Sequence, residues 1–148
     1  MSSVVVKMKS GPSTYVVRSA VAGGQLVQAH IASKKVEPAA ADSALVLGVA
    51  LYDAAPLGTT GGFNASGAPG GNPLFDFSGL QEEVAVAFTG LVKLRATATV
   101  AWGDLLKPGA AGSVVPIGAS AYGLVVAQCV DPEGIANGAW GICRLRLT

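Results

Sequence analysis

Charge is what this sequence has least of. Only 13% of its 148 residues are charged, ten positive and nine negative, for a formal net charge of +1. An ordinary domain carries about 25% charged residues. So poor a complement points to surface buried against copies of the chain or a larger assembly. The near balance excludes a strong electrostatic hold on nucleic acid or on an anionic membrane. The polar, charge-rich composition of a disordered chain is missing too, since 51% of the residues are hydrophobic. Long apolar runs are absent. The longest, Ala44 to Tyr52, stops at Asp53, far short of the roughly 20 residues a membrane helix needs.

Cysteine and histidine are equally scarce. Two cysteines, Cys129 and Cys143, make no disulfide framework and read as buried thiols in neighbouring strands. The first thirty residues carry no secretion signal, because Val4, Val5 and Val6 run straight into Lys7 and Lys9. The expectation is a soluble protein folded in a reducing cytoplasm, and the Asn64-Ala65-Ser66 sequon carries no weight there. The single histidine, His30, has no local nucleophile or orienting carboxylate in a recognisable motif. The cysteines have no second Cys or His at ligand spacing, and Asp42, Asp53, Asp76, Asp104 and Asp131 are scattered. Gly58-Thr59-Thr60-Gly61-Gly62 lacks the Lys-Ser/Thr of a phosphate loop. No catalytic, cofactor or metal residues are therefore expected, and the chain reads as no enzyme. A hydrolase using His30 with Cys129 or an Asp is the weakest alternative.

What the sequence has is short apolar segments cut by Gly, Pro, Asn and Asp, with few clustered helix formers. This predicts an all-β fold, a compact β-barrel or β-sandwich of short strands. Residues 1–13 read as an extended N-terminal arm and 14–148 as a single β domain. Strands are expected over Tyr15 to Val21 and Gln25 to Ile31, around a Gly23-Gly24 turn. Residues 33–43 read as a loop, and Ala44 to Tyr52 as a strand buried on both faces. Val84, Val86 and Phe88 alternate with Ala85, Ala87 and Thr89. In the next strand Lys93 and Arg95 share one face, Val92 and Leu94 the other. Turns at Gly103-Asp104 and Asp131 to Gly138, and strands at Val114 to Ile117, Tyr122 to Val130 and Trp140 to Leu147, complete the reading. In the last strand Trp140, Ile142, Arg144 and Arg146 oppose Cys143, Leu145 and Leu147. Asp53, Asp104 and Asp131 sit beside turns, where a carboxylate caps backbone amides. Trp102, Tyr122 and Trp140 read as core aromatics at strand ends.

Two features stand out from this pattern. Residues 56–79 form a Gly- and Pro-rich excursion too long for an ordinary connection. It holds Phe63, Phe75 and Phe77, three of the four phenylalanines, together with Leu74, so it is expected to pack on something. There is also a weak internal repeat. Val21 to Val27 is similar to Val100 to Leu106, and each copy continues into an apolar segment with an internal glycine, Gly48 or Gly123.

The stretches Leu47 to Ala55, Glu83 to Val92, Val100 to Leu106, Tyr122 to Ala127 and Gly138 to Leu145 resemble small β-rich bacteriophage capsid decoration, or cement, proteins. The excursion at 56–79 departs from that pattern. The resemblance implies a structural virion protein on the capsid exterior, made in the host cytoplasm. It would bind the major capsid protein, bridge capsomers and self-associate as a homotrimer, with no cofactor, nucleic acid or membrane. Residues 1–13 and 56–79 would then be arms, placing Val4, Val5, Val6, Lys7, Phe63, Leu74, Phe75 and Phe77 at capsid or subunit interfaces. The alternative is a virion or tail surface module that stacks carbohydrate on Trp102, Trp140 and Tyr122.

Overall fold

The computed structural model describes residues 12–57, 59, 80–120 and 122–147, with the backbone alone of 62–63 and 75–76. It is all-β. The strands are β1 (Ser13–Val16), β2 (Leu26–His30), β3 (Lys35–Pro38), β4 (Val46–Ala50), β5 (Gly62–Phe63), β6 (Phe75–Asp76), β7 (Glu83–Ala87), β8 (Leu91–Arg95), β9 (Leu105–Pro108), β10 (Val114–Pro116), β11 (Ala127–Cys129) and β12 (Trp140–Leu145). Two five-stranded antiparallel sheets hold ten of them, in the orders β1-β7-β4-β2-β3 and β10-β9-β11-β12-β8. The excursion contributes a two-stranded ribbon, β5 against β6.

The two sheets are copies of one plan. Reversing the second order to β8-β12-β11-β9-β10 matches it strand for strand with the first. Val21 and Ala54 exchange backbone hydrogen bonds, and so do Val100 and Ile135. One parallel bridge joins the outer strands of each sheet, Val17 to Val36 and Ala96 to Val114, so each sheet curls towards a small barrel. Val17, Val21, Gly24 and Leu26 correspond to Ala96, Val100, Gly103 and Leu105 at a constant offset of 79 residues. Even the turns are clasped alike. The Ala22 N–H donates to Gln25 Oε1 at 2.8 Å, and the Ala101 N–H to Asp104 Oδ2 at 2.8 Å.

Alternation decides what each sheet buries. The first core consists of Val17, Val21, Val27, Val36, Ala50, Ala54, Val84 and Val86. The second contains Ala96, Val100, Leu106, Cys129 and Cys143 at matching places, and it reaches across to Leu26, Ala39 and Val49 of the first half. A fully buried aliphatic side chain stabilises by about 1.5–3 kcal/mol. Polar links fix the junction as well. The Gly112 N–H donates to the Ala39 carbonyl (2.8 Å), Gln25 Nε2 to the Ala111 carbonyl (3.1 Å), and Lys107 pairs with Asp42 (2.8 Å).

Several expectations need correction. The loop at 33–43 contains β3, whose Val36 is buried in the first core while Lys35 is exposed. Tyr122 to Val130 is not one buried strand. Tyr122–Leu124 is a 3-10 turn with Tyr122 79% exposed, and only Ala127–Cys129 pairs. The flanks of Ala44 to Tyr52 are likewise open, with Leu45, Leu51 and Tyr52 all exposed. In the repeat, Gly48 is matched by Ala127 and not by Gly123, because Val27 pairs with Gly48 as Leu106 pairs with Ala127. Gly48 is glycine because a Cβ there would collide with the Ala87 carbonyl, whereas Gly123 faces open space.

Candidate interaction surface

β12 has the burial pattern of a strand with one dry face and one wet face. Gly141, Cys143 and Leu145 point in, while Trp140, Ile142 and Arg144 point out. Its neighbour β8 is the edge strand of the second sheet. The register sets Arg95 opposite Trp140, Lys93 opposite Ile142 and Leu91 opposite Arg144. Directly opposed residues share a face, so six outward side chains form one surface. Its apolar members are exposed: Leu91 at 63%, Trp140 at 48% and Ile142 at 41%.

Trp140 also closes the junction between the halves. Gly24 has φ +87°, and a Cβ there would lie 2.6 Å from Trp140 Cζ3. The indole thus rests on the first-half turn, beside a shallow cleft of about 390 Å3 that Leu51, Leu91 and Lys93 also line. The matching glycine, Gly103, has the same φ but nothing near it.

The electrostatics of this face have one sign. β8 to β12 contain Lys93, Arg95, Lys107 and Arg144 and no acidic residue. Lys107 is paired with Asp42, and Arg95 Nε donates to the Gly138 carbonyl at 3.4 Å. Lys93 and Arg144 form no ion pair among the described residues. The equivalent face of the first half, on β1 and β7, carries Thr14, Val16, Glu83, Ala85 and Ala87. The same backbone is therefore built there without large apolar or cationic outward groups.

Most of the residues expected at interfaces fall outside the described residues. Val4, Val5, Val6, Lys7, Leu74 and Phe77 are outside the described residues, as is the arm up to Gly11. For Phe63 and Phe75 only the backbone is described, paired with each other across the β5–β6 ribbon. Ser13, the last residue of the expected arm, opens β1 opposite Val86. Trp102, Tyr122 and Trp140 are not core aromatics: exposures of 69%, 79% and 48% put them on the surface. Tyr122 walls a separate cleft with Arg146 and Leu147, and Trp102 stands on the turn before β9.

The chemistry-bearing residues have local duties. The Ser33 N–H donates to His30 Nδ1 at 3.2 Å, and the Ser33 hydroxyl lies 2.7 Å from the same nitrogen, closing the β2–β3 turn. Asp53, Asp104 and Asp131 accept from the backbone N–H groups of Gly23, Ala101 and Glu133, as turn carboxylates should. Cys129 and Cys143 are free, buried and opposed across β11 and β12, as read from the sequence. Burial, with Cys129 and Asp131 nearby, pushes the Cys143 thiol up to about 12. Among the described residues no three His, Cys, Asp or Glu side chains converge as metal ligands.

No family model matches the sequence, and no curated protein does. The fold, however, is similar to a solved structure, the head fiber gp8.5 N base in bacteriophage phi29. The TM-score is 0.60 at 17% sequence identity, over 91% of this chain and 92% of that one. The two proteins share an architecture along nearly their whole lengths.

Proposed function

We propose that the chain is a structural component of a bacteriophage virion that docks on the outer surface of an icosahedral head and reinforces it by bridging capsomers. The observation that carries this reading is the fold, shared over nearly the full length with the base of a phage head fiber. A low-charge double-sheet body with exposed apolar side chains suits permanent attachment to a protein lattice. On this reading the chain associates as a homotrimer and its partner is the major capsid protein. Residues 1–13 and 56–79 are the segments that reach neighbouring subunits.

The test is to sediment virions from the lysate in which the chain is made and quantify it against the major shell protein. A copy number near that of the shell protein, or one per threefold cluster, is expected. A handful of copies per particle would place the chain at the tail or a vertex. Absence from particles would overturn the reading.

A further inference from the structure

We propose that the outward face of β8 and β12, centred on Lys93, Trp140, Ile142 and Arg144, is the surface by which the chain seats on an acidic, partly apolar protein surface of the head shell. The inference rests on the proposed head attachment and names the side of the molecule that makes it.

Three observations converge on this face. First, the internal repeat acts as a control for what the fold requires. At matching backbone positions the first half has Thr14, Glu83, Ala85 and Ala87 in place of Lys93, Trp140, Ile142 and Arg144. A sheet that folds with threonine and alanine outside does not need a lysine, an isoleucine and a guanidinium there; Trp140 alone of the four also packs on the first-half turn at Gly24. Second, the apolar groups are contiguous. Trp140 and Ile142 are successive outward residues of β12, Leu91 on β8 is diagonal to Ile142, and Leu51 joins Leu91 and Trp140 at the cleft. Exposed large side chains grouped in this way mark an interface, whereas scattered ones do not. Third, the charge selects the partner. Lys93 and Arg144 flank the apolar groups, have no ion pair among the described residues, and have no acidic neighbour on any strand of their sheet. A desolvated cation needs a compensating anion, so the complementary surface must supply carboxylates around an apolar centre. Trp and Arg are also the residue types most enriched in interface hot spots.

The experiment uses the full-length chain and head particles freed of it. Lys93→Glu combined with Arg144→Glu reverses both charges at exposed positions. Glu83→Lys, on the equivalent first-half face, is the matched control. The double variant should melt like the parent. Its occupancy at a fixed concentration should fall at least about tenfold and lose most of its salt dependence, while Glu83→Lys binds as the parent does. Equal binding and salt response in parent and double variant would overturn the assignment of this face and leave head attachment standing. Failure of the parent itself to bind particles would overturn head attachment, and this inference with it. Light scattering runs in parallel. A double variant that loses self-association, and binds less only for that reason, would make the occupant a second copy of the chain and overturn the proposal.

Discussion

The two halves solve one folding problem twice and differ where folding leaves them free. Strand order, bridging pairs, turn clasps and inward positions coincide. The first half closes with the segment from Ala54 to Glu83, while the second runs from Ile135 to Trp140 through a tight Asn137-Gly138 turn. Their outward faces diverge further, small and acidic on β7, large and cationic on β8 and β12. The duplication separates the side chains the fold demands from those it merely tolerates, and the tolerated ones are where an interaction is to be sought.

Glycines break this equivalence most sharply. Gly48→Ala drives a methyl group into the Ala87 carbonyl, whereas Ala127 already fills the matching site. We expect a loss of about 3 kcal/mol or more, the upper range for overpacking, against about 1 kcal/mol for Ala127→Gly. Denaturant midpoints of the two variants decide it. Gly24→Ala ranks next. It combines a positive φ with the Trp140 ring, whereas Gly103→Ala meets only the positive φ. Gly103→Ala should cost about 1–2 kcal/mol and Gly24→Ala measurably more, with a change in Trp140 fluorescence confined to Gly24→Ala.

The turn clasps test a smaller difference. Gln25 is buried and reaches both Ala22 and Ala111, so it serves its own turn and the junction. Asp104 clasps its turn at the surface. Gln25→Ala should cost about 2–3 kcal/mol, including groups left unsatisfied, and Asp104→Ala about 1 kcal/mol. Equal losses would mean the junction bond adds nothing.

At neutral pH the cysteine substitution is the mildest. Cys143 occupies the place of Val86, so Cys143→Val copies the first half into the second. The shape change should cost under about 1.5 kcal/mol. The signature is alkaline. The folded thiol holds its proton up to about 12 against an ordinary value of 9.0. The unfolded chain therefore ionises first, and stability falls as pH climbs from about 9 towards 12. Cys143→Val should flatten that limb of the melting curve. An acid limb has a different source. Burial works to raise the Glu37 carboxyl, but hydrogen bonds from Arg18 and Gln28 and the Arg18 charge outweigh it and hold the group below 4.5. That small, partly exposed contribution is present near neutrality and is lost as pH falls through the lowered value.

Much of this architecture was legible in the sequence because strands announce themselves by alternation. Val84 and Val86, Leu94, and the in-out rhythm from Trp140 to Leu145 are buried and exposed as their spacing predicts. The repeated turn was legible because both copies keep the glycine that a positive φ requires. β3 was hidden because Lys35-Val36-Glu37-Pro38 offers a single apolar residue and a proline. Tyr122 to Val130 misled because apolar composition does not distinguish a strand from a 3-10 turn. Local similarity pairs Gly48 with Gly123, but the need for glycine at 48 comes from the Ala87 backbone on another strand, which the local sequence does not contain. The interaction surface escaped for the same reason. Alternation puts Lys93 and Arg95 on one side of their strand and Trp140, Ile142 and Arg144 on one side of theirs, but only the β8–β12 register unites them.

The unequal closures carry a consequence for engineering. The place where the first half accommodates the excursion at 56–79 corresponds, in the second, to the turn at Asn137-Gly138, and Gly138 has a positive φ in open space. The same scaffold thus carries a long connection in one half and a short one in the other. A foreign peptide spliced into the second turn would occupy the position that the first half gives to its long excursion, making the chain a ready platform for displaying a grafted loop.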